Sequence, residues 1–252
     1  MPSAFRPLRI LSYNINKGAS GVRKRNVLSA IREAVSLLDA DIVFLQEVRV
    51  RTYGGTEPGS FEAQFDFLAS GLWPHIVYGR NVMRDMSHHG NAILSRYPIA
   101  SWENIDVSAH PVEGRGILHA VVELPSHRHA GTRSVHMLCL HLGLLERWRR
   151  KQMTKLEARI RSAVPEEAPL LVAGDFNDWR ERATEHLANG LHLDEAFHDV
   201  HGAHARTFPS RLPTLKLDRI YMRGFLAVKA ERLSGKPWST LSDHVPLLLE
   251  VV

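Results

Sequence analysis

The chain has 252 residues, 44% of them hydrophobic and 23% charged, with 32 Lys and Arg against 27 Asp and Glu and a formal net charge of +5. This is the balance of a globular protein with enough chain for a sizeable core, and it excludes disordered, collagen-like and low-complexity architectures. The single cysteine, Cys139, excludes an intramolecular disulfide scaffold, and no run nears the roughly 20 apolar residues of a membrane-spanning helix.

The N-terminus, from Met1 to Pro7, has no apolar stretch followed by a small-residue cleavage site, so a cytoplasmic protein is expected. In chain order, β-branched and aromatic runs predict strands over 8–15, 41–46, 75–78, 91–95, 99–107, 116–124, 133–142, 170–174, 217–221, 225–233 and 246–252. Helical spacing of apolar residues predicts helices over 25–38, 61–70, 145–164 and 184–188. The turn-rich stretch 52–60 reads as one surface loop, and nothing reads as a linker. A single domain over 1–252 with mixed α/β architecture is expected. In helix 145–164, Leu145, Met153, Leu156, Ile160 and Val164 share one broad face, while Arg147, Arg150, Lys151, Lys155, Arg159 and Arg161 lie mainly elsewhere. That basic surface is either a solvated charged face or, helped by Trp148, one that meets an anion or a membrane.

The strand–helix–strand plan occurs twice. Ile10 to Asn14, a helix and Ile42 to Glu47 match Met137 to His141, a helix and Leu170 to Asp175; the intervals Asn14–Glu47 and His141–Asp175 differ by one residue. Each strand runs apolar and then ends in a side chain able to bind metal or move a proton. Ligands of open α/β sheets gather beyond strand ends, so two such units facing each other would set four polar residues around one crevice.

The chemistry-bearing residues sit at these ends. The Asn14 amide oxygen is a hard ligand suited to Mg²⁺, though an Asn after a strand is also a common turn former. Glu47 closes an apolar strand with a carboxylate, which strand ends also carry for solubility alone. In Gly174-Asp175-Phe176-Asn177-Asp178, period-two spacing puts Asp175 and Asn177 on one side, able to hold and deprotonate a water, with Asp178 on the other. Ser242-Asp243-His244 offers a metal ligand and a general acid or anion stabiliser together, and Asp218 in a neighbouring strand can orient His244 or pair with an arginine. His141 ends a strand; Cys139 before it reads as a core thiol. Asn91 is a candidate to bind phosphate or to help anchor the site, and Arg115 is a candidate phosphate contact, a guanidinium being matched to phosphate. There is no P-loop, no Gly-x-Ser-x-Gly elbow and no His-Glu-x-x-His zinc signature. An oxygen-rich set favours Mg²⁺ or Mn²⁺ over zinc.

Taken together, Ser12-Tyr13-Asn14-Ile15, Leu45-Gln46-Glu47-Val48, Gly90-Asn91-Ala92-Ile93-Leu94-Ser95, His141-Leu142, Gly174-Asp175-Phe176-Asn177, Leu217-Asp218-Arg219-Ile220 and Ser242-Asp243-His244 resemble the endonuclease/exonuclease/phosphatase superfamily, in its order and over nearly the whole chain. The resemblance implies a four-layered α/β/β/α sandwich with two packed mixed sheets and the site at one end. It implies Glu47 as principal Mg²⁺ ligand, with Asn14 and, through water, Asp243. It implies Asp175 and Asn177 as the residues that activate water, His244 oriented by Asp218 on the scissile phosphate, and His141 as a second phosphate-side histidine. The reaction implied is in-line attack of water on a phosphodiester of DNA, RNA or a phospholipid head group. A histidine at 141 and Arg206-Thr207-Phe208-Pro209-Ser210 before Asp218 depart from the apurinic-site endonucleases. Peripheral membrane contact fits the lipid alternative, no obligate protein partner is expected, and a non-catalytic module binding anionic surfaces is the alternative to an enzyme.

Overall fold

Successive residues of a strand face opposite sides of its sheet, and the central strands here are apolar on both, so each sheet must be covered twice. The computed structural model describes residues 6–20, 25–52, 61–84, 87–125 and 131–252. In chain order, β1 (Leu8–Asn14) passes through a 3-10 turn at Asn16–Gly18 and the short paired strands β2 (Ala19–Ser20) and β3 (Arg25–Asn26) to α1 (Leu28–Ser36). β4 (Ile42–Thr52), β5 (Phe61–Ala63), α2 (Gln64–Ala69), β6 (His75–Arg84) and β7 (Ser87–Ser95) complete the first half. β8 (Ile99–Asp106), β9 (Gly116–Pro125), β10 (Thr132–His141), α3 (Glu146–Ala163), β11 (Leu170–Asp175), α4 (Arg182–Leu191), β12 (Asp194–Glu195), α5 (Ala196–His201) and β13 (Asp218–Arg223) follow, and β14 (Ala227–Arg232), α6 (Trp238–Leu241) and β15 (Leu247–Val251) close the chain.

One sheet runs β14-β15-β1-β4-β7-β6, with β5 added to β4, and the other runs β12-β13-β11-β10-β9-β8. Each holds one parallel pair at its centre, β1 with β4 and β10 with β11, among antiparallel neighbours. Ile10, Ile42 and Phe44 face Met137, Cys139 and Leu171 between the sheets. The alternate residues Leu11, Tyr13, Val43 and Leu45 pack outward on Ile31 and Val35 of α1 and on Trp73. Leu138, Leu140 and Val172 pack outward on Leu156 and Ile160 of α3 and Leu187 of α4. The result is the α/β/β/α sandwich, each large aliphatic contributing about 1.5–3 kcal/mol by burial.

Several boundaries differ from expectation. The helix expected over 25–38 begins at Leu28, because Arg25 and Asn26 pair with Ala19 and Ser20. The helix expected over 61–70 loses Phe61–Ala63 to a strand on β4. Helix α4 is longer than 184–188, because Asp178 accepts from the Ala183 N–H at 2.7 Å and caps its start. Leu145 is exposed rather than part of the buried face of α3. The basic face of α3 is spent partly on ion pairs, Arg150 with Glu146, Arg159 with Glu103 and Arg161 with Glu157. The expected loop 52–60 lies outside the described residues beyond Thr52, as do Met1–Phe5.

Candidate active site

The parallel pairs bring their C-terminal ends to one place. Asn14 stands opposite Gln46 across β1 and β4, and His141 stands opposite Asp175 across β10 and β11. The Asn14 side-chain amide donates to Asp175 Oδ2 at 3.1 Å, joining the sheets at that end. A pocket of about 600 Å³ opens there, lined among others by Glu47, Arg115, His141, Asp175, Asn177 and His244.

Glu47 reaches the pocket by a bulge. Leu45 pairs with Ala92 and Val48 with Gly90, so Gln46 and Glu47 together oppose Asn91. The extra residue turns the backbone, Glu47 adopts a φ of 56°, and its carboxylate swings toward the pocket. Beyond the bulge, β7 is pressed against its other neighbour, β6: a Cβ at Gly90, the partner of Val48, would lie 1.8 Å from the Gly79 carbonyl oxygen, so only glycine fits. Burial pushes the Glu47 carboxyl up, but the Lys17 ammonium against it outweighs this and holds it below the usual range. Glu47 therefore stays ionised and already carries a cation.

Asp175 ends β11 with a buried carboxylate. It accepts the Asn177 backbone N–H at 2.9 Å, and its Oδ2 lies 3.4 Å from His141 Nε2 and 3.7 Å from His244 Nε2. Burial pushes its carboxyl up to about 7, with His244 opposing and Asp218 adding to the rise. His244 Nδ1 lies 2.8 Å from Asp218 Oδ2. Burial pulls this imidazole down, but the carboxylates of Asp218 and Asp175 outweigh it and push it up to about 10. His141 goes the other way, well below the usual value, through burial and then the charges of Arg115 and His244. The site thus holds one cationic and one neutral imidazole on the two sides of a carboxylate of raised pKa, and such divergence separates acid from base roles.

Supporting contacts come from the chain around the motifs. Thr207 Oγ1 accepts the backbone N–H groups of Leu217 and Asp218 at 3.3 and 3.2 Å. The Phe208 ring packs on His244 at 5.0 Å between centroids. Ser242 donates to the Asn14 carbonyl at 2.7 Å and accepts the His244 N–H at 3.3 Å. The Asn177 amide donates to the Leu142 carbonyl at 2.9 Å.

Four sequence candidates do not line the pocket. Asn14 and Asp218 are buried behind Asp175 and His244 as their hydrogen-bond partners. Asp243 is exposed, its Oδ1 accepting from Ser242 at 3.3 Å. Asn91 is turned between the sheets, where its amide donates to the carbonyls of Gly116 and Cys139 at 3.0 and 3.3 Å. This corrects the expectation of a phosphate contact: Asn91 ties the two sheets together. Cys139 is a buried core thiol pushed up to about 12 by burial. Lys17, Arg49, His89, Glu113, Trp179 and Phe208 line the pocket without having been singled out for it. Lys17, three residues past Asn14, was the one within reach of a strand-end argument.

Metal binding has two geometric bases. Asp175, Asp218 and His244 each offer a ligand atom, all within 4.8 Å of one another, a group that could hold an ion. Glu47 is an ionised hard-oxygen donor with a side-chain cation seated on it.

Residues 11–244 match the Endonuclease/Exonuclease/phosphatase family. Uncharacterized protein YbhP of Escherichia coli strain K12 is 41% identical over 250 residues, 96% of this chain and 95% of that protein. The human Nocturnin catalytic domain with a bound sulfate anion superposes with a TM-score of 0.74 at 21% identity, over 98% of this chain and 93% of that one. Mannosyl-6-phosphatase of Bacteroides thetaiotaomicron superposes with a TM-score of 0.70 at 18% identity, over 97% of this chain and 99% of that one. The two structural likenesses establish the sandwich, while the sequence match over nearly all of both chains and the motifs converging on one pocket place this chain in the endonuclease/exonuclease/phosphatase family.

Proposed function

We propose that the protein is a divalent-metal-dependent phosphodiesterase that drives water in line onto phosphorus. The observation that carries this is the divergence of charge states in one pocket: an ionised Glu47, a carboxyl at Asp175 pushed to about 7, a cationic His244 and a neutral His141. Asp175 takes the proton of the attacking water, since a base titrating near neutrality is both available and strong enough. Asn177 orients that water beside it. His244, held by Asp218, and Arg115 donate to the non-bridging phosphoryl oxygens as charge builds there. His141 donates from the opposite wall as a neutral imidazole. Mg²⁺, or Mn²⁺ in its place, fits the hard donors Glu47 and Asn14, with exposed Asp243 reaching through water. When bound, the ion polarises the phosphoryl group and acidifies water. The imidazolium of His244 is paired with Asp218, which favours Glu47 over the buried Asp-Asp-His group as the ion's seat. The non-catalytic reading leans on the basic face of α3, and Glu103, Glu146 and Glu157 pair with much of that face.

The test is hydrolysis of bis(p-nitrophenyl) phosphate with and without Mg²⁺. Wild type should turn over only with the ion, and Glu47→Ala and His244→Ala should lose turnover while unfolding as wild type does. Metal-independent turnover, or full activity in Glu47→Ala, overturns the proposal.

A further inference from the structure

The pocket mouth is amphipathic. The segment before β9 leaves Val112 exposed by 82%, the β10–α3 loop leaves Leu144 exposed by 61%, and the segment before β13 leaves Leu212 exposed by 73%. Leu145 and Leu215 on the same segments, and Trp179 on the β11–α4 loop, are also exposed. Val112, Leu144, Trp179 and Leu215 line the pocket itself. Loop position explains the convergence. Each of these segments runs into or out of a strand that delivers a polar site residue, Arg115 before β9, His141 on β10, Asp175 on β11 and Asp218 on β13. The other large apolar side chains left in water, such as Leu37, Phe67, Trp102 and Val228, are scattered on elements away from the pocket. Scattered apolar residues need no explanation; a group gathered at a concave site does.

This arc is held in place. The Arg149 guanidinium, itself buried, lies 4.4 Å from the Trp179 ring centroid and donates to the Gly143 carbonyl at 3.2 Å and to the Leu144 carbonyl. One side chain therefore ties the Leu144 loop to the Trp179 loop, so the apolar rim is preorganised and its exposure persists. Three of these segments also set an exposed arginine near the apolar residue: Leu145 with Arg147, Leu212 with Arg211, and Trp179 with Arg180, which pairs with Glu146. Aliphatic tips beside guanidinium groups suit a surface whose interior is apolar and whose face is anionic. They suit a nucleic acid poorly, because Val112, Leu144, Leu145, Leu212 and Leu215 have no ring on which a base can stack, while the Trp179 and Phe208 rings already pack on Arg149 and His244.

We infer that this rim seats the protein on an anionic phospholipid bilayer and admits a phospholipid head-group phosphodiester to the pocket. The inference rests on the phosphodiesterase reading. In the reaction, the water oxygen bonds to phosphorus and its proton goes to Asp175. The bond from phosphorus to the leaving oxygen breaks, that oxygen takes a proton from the His244 imidazolium, which the proton on Asp175 then replaces, and an alcohol and a phosphomonoester remain.

The test uses the whole protein with sucrose-loaded phosphatidylglycerol vesicles, phosphatidylcholine vesicles, supercoiled plasmid and bis(p-nitrophenyl) phosphate. The double variant Leu145→Ser/Leu212→Ser alters exposed tips outside the pocket lining. Wild type should sediment with phosphatidylglycerol vesicles, more weakly with phosphatidylcholine, and release phosphomonoester or alcohol from the anionic vesicles. The variant should lose vesicle binding and vesicle hydrolysis by about tenfold or more and keep its rate on the soluble diester. Equal vesicle binding by variant and wild type, no binding by wild type, or plasmid nicking with vesicles untouched overturns the inference. Vesicle binding without turnover of any diester keeps the docking surface and sinks the phosphodiesterase reading instead.

Discussion

The two parallel strand pairs are built on one plan and do opposite work. In the first, β1 and β4 end at Asn14 and Gln46, and β4 then bulges and runs on to Thr52. In the second, β10 and β11 end together at His141 and Asp175, after which Asn177 takes a left-handed turn with φ 49°. The bulge leaves Glu47 beside the ammonium of Lys17, which keeps it ionised. The clean strand end leaves Asp175 buried, which brings its carboxyl up to about 7 against the opposing charge of His244 and with Asp218 adding to the rise. A repeated scaffold thus yields a charge-holding carboxylate on one side and a proton-accepting one on the other. The difference comes from how the backbone leaves the strand and from which cation stands nearest.

The sharpest way to break this comparison is to make the second carboxylate unable to take a proton. Asp175→Asn keeps the shape and the acceptor for the Asn177 N–H, sets an NH₂ where Oδ2 accepted from the Asn14 amide, and removes the base. We expect kcat on a soluble phosphodiester to fall by about 10²–10⁴-fold, with KM little changed and the folded state retained at somewhat lower stability. A loss confined to KM would show that Asp175 binds substrate and that the division of labour is wrong.

The next largest effect lies in the first pair. Gly90→Ala puts a methyl group 1.8 Å from a backbone oxygen that no rotamer change can move. β7 must part from β6 there, which shifts the strand that the bulged β4 pairs with. We expect about 4 kcal/mol or more of lost stability, read by urea unfolding, together with weaker Mg²⁺ protection against unfolding. Gly71→Ala is the control, since its Cβ would meet nothing within 4 Å and only its left-handed φ of 73° is strained. If Gly90→Ala behaved like that control, the seating of β7 against β6 would not be what holds the strand opposite Glu47 in place.

These cases show what was legible beforehand and why. The apolar runs of β1, β10 and β11 are continuous and end in polar residues, so they were read to within a residue or two, and with them Asn14, His141 and Asp175. Glu47 reads as a strand end in the sequence, whereas β4 continues past it, and a bulge depends on the facing strand, which local pattern does not contain. Which of its two expected roles Asn91 serves is hidden for the same cause: its neighbours across the gap, Gly116 and Cys139, belong to the other sheet. The apolar rim is not legible in the sequence, because nothing local to Leu144 or Leu212 says whether the loop carries it into the core or into water.

The helical covers of the two sheets differ as well, and pH separates them. The face of the first sheet under α1 is sealed by Leu11, Tyr13, Val43 and Leu45. The face of the second under α3 carries His119 and His136, with His119 Nε2 2.9 Å from His136 Nδ1. Arg159 of α3 donates to His119 Nδ1 at 3.0 Å, which fixes the neutral tautomer and leaves no lone pair free for a proton. Burial first, then the charges of Arg159 and His136, push His119 down to about 4. In the unfolded chain it titrates at about 6.5. Between those values the unfolded chain binds more protons than the folded one, so stability is complete above about pH 6.5 and drains away as pH falls toward 4. The loss should amount to about 3 kcal/mol by the lower limit. Urea unfolding between pH 8 and 4.5 checks it, with His119→Leu as the comparison. The variant removes the titrating ring and keeps an apolar body under α3, so its acid-side slope should flatten. An unchanged slope in His119→Leu would assign the acid sensitivity to other groups and leave the two covers alike in their response to protons.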